Sequence, residues 1–407
     1  MTYVVDLGST KASCLVARWT NAGELEVLGT GEARSAGIDR GEICDPKAAG
    51  AVIREVVQQA SDQAGVPLPG EITIGFGGFQ LESLNAQGYV PLYPRGRAIA
   101  REDVLQVVNH SRQIKTDPGR EQVLAVPREF VVDDERGISD PLGMKGGRLE
   151  VVTHIVIGES AAIQATEQAV GQAGFRCSQM VPIALASGLA VSSPNERELG
   201  CVTIDIGAET TSVAIFQGGA IAFTAVLPIG SRYVSSDLSK LLKATQEEGE
   251  RLKTHYGVAL ARESEGLSSV SVMQIGQVEP RHLDRRVLCE IIESRMRELA
   301  SMVKDQIEET GLLGLLPGGA ILTGGGSRLS KTPELFDLVL KTLQVRLGKP
   351  RVRGPQSIAA SSGQWSGAVG LATYALTEAN NDLQAAGEIE GWRDRVRNFK
   401  ALFGARA

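Results

Sequence analysis

The feature that most constrains this chain is an internal echo. Residues 3–19 read YVVDLGSTKASCLVARW, and residues 202–216 read VTIDIGAETTSVAIF. Each is an apolar run that ends in Asp, passes through a turn of small and hydroxyl residues, and resumes as a second β-rich run. A third strand pattern follows both, ELEVLGTG at 24–31 and AIAFTAVLPIG at 220–230. Helical periodicity comes next, at Pro46–Ala64 and at Ser235–Tyr256. Two copies of one unit about 200 residues apart predict a duplicated α/β architecture with a cleft between its halves. A length of 407 residues leaves room for two or three sizeable cores.

An insertion lies between the copies, from about Glu82 to Ile157. It offers a strand at GYVPL, a helix opened by Arg101-Glu102-Asp103 and running to Ile114, the strand VLAVPREFVVD, a Gly/Pro-rich turn and the strand RLEVVTHIVI. That is a small α+β module of its own. Asp284–Glu309 reads as a long helix of alternating charge, and a third glycine turn, ILTGGGSRL, follows at 321–329. From Glu378 the composition turns polar and small, as in a linker.

A strand–Asp–x–Gly–small–Thr turn suits the phosphates of ATP. Glycine lets backbone N–H groups turn inward, and hydroxyls add donors. The strand-ending carboxylates, Asp6 and Asp205, would repel a phosphate, but they can orient Mg²⁺ through water. One such hairpin is weak evidence, whereas two followed by a TGGG turn are strong. Composition narrows the field further. A net charge of −6 argues against a nucleic-acid binder, and five scattered cysteines fit reduced thiols in the cytoplasm. The chain opens directly on a strand pattern, which argues against export, and no apolar run reaches the ~18–20 residues of a membrane span. The four histidines lack metal-ligand spacing and read as surface or packing residues.

These motifs resemble the actin-like ATPase superfamily: DLGSTK as the first phosphate loop, DIGAETT as the second and LTGGGSR as the adenosine loop. More narrowly the chain is similar to the FtsA family of bacterial cell-division proteins. EQVLAVPREFVVDDERGISDPLGMKGGRLE, NERELGCVTIDIG, GGAIAFTAVLPIG and AVGLATY carry that likeness over most of the chain. The resemblance implies a duplicated actin-like, ribonuclease H-like fold with two lobes around a nucleotide cleft. It divides the chain into subdomain 1A (1–81 and 159–190), an inserted subdomain 1C (82–158), 2A (191–230 and 321–377) and 2B (231–320). A flexible linker (378–390) and a membrane-targeting helix (391–407) complete the division.

Carried over residue by residue, the resemblance places Asp6, Gly8, Ser9, Thr10 and Lys11 around the phosphates. It adds Asp205, Gly207, Ala208, Glu209, Thr210 and Thr211 from the second loop. Glu250 would meet the ribose, Lys253 would lie near the base, and Gly324, Gly325, Gly326 and Ser327 would cover the adenosine. Asp6 and Asp205 would hold Mg²⁺ through water, with Asp205 also orienting the attacking water. Two readings stay open: Glu250 and Lys253 form a solvated i,i+3 ion pair, and Lys11 points into solvent.

The second loop departs from the family's usual D-I-G-G-G-T-T-D, because Ala208, Glu209 and Ser212 replace two glycines and the final Asp. A carboxylate at the tip either weakens phosphate binding or swings outward and leaves the backbone donors intact. Outward rotation is the expectation here. The stretch PIALASGLAV at 182–191 offers only Ser187 to position a water, so hydrolysis is expected to be slow at best.

In the tail, GWRDRVRNFKALFGAR, Trp392, Val396, Phe399, Leu402 and Phe403 recur at helical spacing beside Arg393, Arg395, Arg397 and Lys400. That is the composition of an interfacial helix on anionic lipid, with docking on its own domain as the alternative. The resemblance further implies self-association into filaments and contact with other division proteins. It also implies an FtsZ C-terminal peptide on subdomain 2B, at Arg295 and Arg297, which otherwise read as a solvated helix face. A pilus-assembly scaffold of the PilM type is the alternative without a terminal helix. A small-molecule kinase would need a cleft Asp base that is not evident.

Overall fold

The computed structural model describes residues 1–264 and 269–386. The first copy folds as β1 (Thr2–Leu7), β2 (Lys11–Trp19) and β3 (Leu25–Arg34), an antiparallel meander with Val4, Val5, Leu15, Val16 and Val27 fully buried. α1 (Pro46–Ala64) begins where the Asp45 carboxylate accepts from Lys47 and Ala48 N–H, and it ends at a left-handed Gly65. β4 (Glu71–Phe76) then pairs parallel to β1.

The inserted module comprises β5 (Glu82–Pro91), α2 (Arg101–Arg112), β6 (Arg120–Val132), β7 (Glu135–Ile138) and β8 (Arg148–Glu159). Its strands form an antiparallel sheet in the order β5-β8-β6-β7, with a separate core around Leu92, Val104, Phe130 and Leu149. α2 stops at Arg112, two residues before the expected Ile114. Its first turn is fixed by Asp103, which takes two 2.6 Å bonds from Arg97 and one of 2.8 Å from Ala100 N–H. α3 (Ser160–Gln172), β9 (Arg176–Pro182) and α4 (Ile183–Val191) complete the first lobe.

The second copy repeats the plan. β10 (Cys201–Ile206), β11 (Thr211–Gln217) and β12 (Ala220–Leu227) form the meander. They are followed by α5 (Ser231–Leu242), α6 (Gln246–Tyr256), α7 (Arg285–Glu309), β13 (Ala320–Thr323), α8 (Thr332–Leu340), β14 (Val345–Leu347) and α9 (Ser366–Ala386). The two lobe sheets have orders β9-β4-β1-β2-β3 and β12-β11-β10-β13-β14, which are the same topology. In each, the meander flanks one side of the Asp-ending strand and two parallel strands flank the other. α4 and α9 lie between the sheets, in a shared core that joins Val4 and Leu15 to Leu185, Phe216 and Leu371.

Two expectations need correction. The periodicity at Ser235–Tyr256 belongs to two helices. α5 starts earlier, at Ser231, and ends where Lys243 turns left-handed at φ 53; the Thr245 hydroxyl then accepts Glu248 N–H to open α6. The pattern runs through the break because Val234, Leu238 and Leu252 enter the same core. The segment expected to act as a linker from Glu378 is helical as far as Ala386, since no Gly or Pro interrupts it before Gly387.

Candidate functional site

The two hairpins are superposable in register. Asp6 pairs with Ser13 as Asp205 pairs with Ser212. Gly8 N–H donates to Lys11 O at 3.0 Å as Gly207 N–H donates to Thr210 O at 2.9 Å. A Cβ on either glycine would lie 2.9 or 2.8 Å from that same carbonyl oxygen, so the tight turn requires glycine. Sheet topology then sets the hairpins facing each other, one from each lobe, across a cavity of about 1050 Å³.

Most of the expected residues meet in this cavity. Asp6, Gly8, Ser9, Thr10, Lys11, Asp205, Gly207, Ala208, Thr210, Glu250, Lys253, Gly324, Gly325 and Gly326 all line it. Asp6 and Asp205 stand at its floor. Burial pushes the Asp6 carboxyl up to about 6, with Lys11 opposing. Burial, then the nearby Asp6 charge, pushes Asp205 up to about 7, while Ser187 and Ser366 hydroxyls hydrogen-bond it. Two carboxyls that crowd each other in this way are what a hydrated divalent cation relieves. Glu250 and Lys253 do pair at 2.7 Å at the cavity wall; the Glu250 side chain is half exposed, whereas the Lys253 ammonium is buried and also donates to Ser231 O at 3.1 Å. Lys11 is partly exposed; it pairs with Glu32 at 2.9 Å and sits 4.7 Å over the Trp365 ring.

Three residues are placed differently from the expectation. Thr211 is fully buried and donates its hydroxyl to Ile229 O at 2.7 Å, so it fixes the strand behind the loop. Ser327 is buried and donates to Gly324 O at 2.8 Å, buttressing the glycine turn from behind. Glu209 turns away from the phosphate cavity but not into solvent. Only 8% exposed, it accepts Arg40 N–H at 2.7 Å and pairs with Arg232. Ser187 is buried; its hydroxyl donates to Ile183 O at 2.9 Å and lies beside the Asp205 carboxyl. The arrangement can grip a polyphosphate and its cation; the carboxyl and imidazole groups among its lining residues are those of Asp6, Asp205, Glu247, Glu250 and His255.

On α7, Arg295 is held by Asp237 at 2.6 and 3.0 Å and lies over the Tyr233 ring, and Arg297 pairs with Glu293 at 2.6 Å. The tail residues Trp392, Arg393, Arg395, Val396, Phe399, Lys400, Leu402 and Phe403 lie outside the described residues. Among the described residues no helix is long and apolar enough to cross a membrane.

The chain matches a model of the cell division protein FtsA over residues 202–370 and a model of the SHS2 domain inserted in FtsA over residues 78–157. Cell division protein FtsA of Pseudomonas aeruginosa is 31% identical over 380 residues, covering 93% of this chain and 90% of that protein. The chain belongs to the FtsA family. FtsA of Neisseria meningitidis serogroup B is likewise 31% identical, over 95% of this chain and 90% of its own. Among solved structures, the PilM–PilN type IV pilus biogenesis complex aligns with a TM-score of 0.64 at 16% identity, over 92% of this chain and 98% of that chain. MreB5 of Spiroplasma citri bound to ADP aligns at 0.55 with 12% identity, over 94% and 98%. These two establish the fold alone, and the fold is the actin-like one.

For an FtsA-family chain, the reading from sequence missed the basic rim of the cleft. Arg34, Arg232, Arg285 and Arg328 line the cavity from four separate elements or loops. Arg232 and Arg328 had local signals, the one following the Gly230-Ser231 start of a helix and the other closing the LTGGGSR turn. The others are brought in by tertiary folding.

Proposed function

We propose that this FtsA-family protein is an actin-like scaffold that binds Mg-ATP between its lobes, polymerises on the inner face of the cell membrane and anchors FtsZ filaments at the division site. The observation that carries the reading is the family's own insert set into a duplicated core whose phosphate hairpins match in register. Asp6 and Asp205 would hold the hydrated cation, and the glycine turns at 207 and 324–326 would admit the phosphates and adenosine. Nucleotide acts as a ligand that biases lobe closure, and turnover is slow because the stretch 182–191 offers only Ser187 to position a water.

The basic aromatic tail supplies weak, reversible membrane affinity, which polymerisation multiplies. The FtsZ C-terminal peptide docks on 231–320. Because Arg295 and Arg297 are held by Asp237 and Glu293, an acidic peptide must exchange with those carboxylates. Sedimentation with anionic liposomes tests the membrane arm. The full chain should pellet with vesicles in Mg-ATP and a chain lacking residues 388–407 should stay in the supernatant, whereas equal pelleting would overturn the claim.

A further inference from the structure

The carboxylate of Glu209 gathers donors from both lobes. Its Oε2 accepts Arg40 N–H at 2.7 Å, from the 38–43 hairpin of the first lobe, and the Ser9 hydroxyl of the first phosphate loop also bonds it. Its Oε1 takes the Arg232 guanidinium of the second lobe. The frame around it is fixed. Ser231 N–H and Arg232 N–H donate to Gly207 O at 2.9 Å and Ala208 O at 2.7 Å, pinning the second loop to the start of α5. Gly41 N–H donates to Ser9 Oγ at 3.2 Å, pinning the hairpin to the first loop.

With glycine at position 209, Arg40 N–H, the Ser9 hydroxyl and Arg232 would converge on no partner of their own. Convergent donors around a gap form an anion site. Ser9 also lines the phosphate cavity, so that anion site adjoins it. We propose that Glu209 is a tethered stand-in for a terminal phosphate. It clasps the two lobes together without nucleotide and makes the cleft favour a nucleoside diphosphate over a triphosphate. The clasp follows from the geometry alone; the nucleotide preference rests on the cleft being a nucleotide site. A terminal phosphate entering beside the clasp meets a carboxylate and finds its donors already engaged, whereas a diphosphate stops short of it.

Calorimetry with ADP and ATP in Mg²⁺, on the full-length protein and on Glu209→Gly and Glu209→Gln, tests the preference. Wild type should bind ADP about tenfold or more tighter than ATP, and Glu209→Gly should narrow the ratio to within about threefold. Equal affinities in wild type, or an unchanged ratio in Glu209→Gly, would overturn it. The clasp has its own readout, amide exchange in the 36–44 segment without nucleotide. Exchange should be at least about tenfold slower in wild type than in Glu209→Gly. Glu209→Gln keeps an acceptor for Arg40 and loses the charge, so its exchange should stay near wild type while discrimination falls. Identical exchange in wild type and Glu209→Gly would remove the clasp. Absence of heat with both nucleotides in all three proteins would reject the nucleotide reading and the diphosphate preference together, leaving exchange to decide the clasp.

Discussion

Replacing Gly370 by Ala is expected to cost about 3 kcal/mol or more of stability, the high end of what overpacking does. Gly370 lies in α9 where that helix crosses α4, and a Cβ there would sit 1.7 Å from Ala186 O and 2.2 Å from its carbonyl carbon. Both helices belong to the core shared by the two lobes, so the clash cannot be relieved by one side chain changing rotamer. The backbones of α4 and α9 must move apart, and the seam between the sheets opens with them. Gly171→Ala is the matching control. That glycine is within α3 with nothing within 4 Å of the added Cβ, and the change should stabilise by about 0.5–1 kcal/mol. Denaturant midpoints of the two variants check both. Similar small effects from the pair would mean that α4 and α9 are not in backbone contact.

The second large effect concerns acid. His154 on β8 is 1% exposed, bonded through Nδ1 to Asn85 Oδ1 at 3.1 Å and through Nε2 to Thr224 Oγ1 at 3.1 Å. Asn85 donates its amide to Ala222 O at 3.0 Å, so its oxygen faces the ring and Nδ1 carries the proton. The cluster ties the insert to β12 of the second lobe. Burial, helped by the Arg128 charge, lowers the imidazole to about 3. The ring stays neutral in the folded chain while the unfolded chain protonates below about 6.5. His154 therefore contributes its full stability above pH 6.5 and loses it progressively as pH falls toward 3. Asp6 and Asp205 oppose this, because their raised carboxyls take up protons in the folded state first. The effect must therefore be read as a difference at each pH. The stability gap between wild type and His154→Gln should shift in the variant's favour as pH falls, by about 2 kcal/mol between pH 6.5 and 4.5. A gap that does not change with pH would show that His154 is protonated in the folded protein.

What could be read locally was read well. Asp45-Pro46 and Gly65 bound α1, and Asp284 opens α7 by accepting Arg286 N–H at 2.8 Å. Both are helix signals written within a few residues. The break at Lys243 was legible in principle, because Thr245 and Glu248 spell a helix start, but continuous apolar periodicity masked it. Arg34 and Arg285 at the rim and the inward turn of Thr211 were not legible. Their partners lie on other elements, and nothing in their neighbours along the chain distinguishes them.

The sequence by itself determined the duplication, the two Asp-x-Gly hairpins and the insert between them, because each is set by short-range strand patterning and by turns that only glycine can make. Tertiary structure alone decided where Glu209 goes. Its acceptor atoms find Arg40, 169 residues earlier, and Arg232, 23 residues later. A buried carboxylate settles wherever the fold brings enough donors together, and no local pattern records that place.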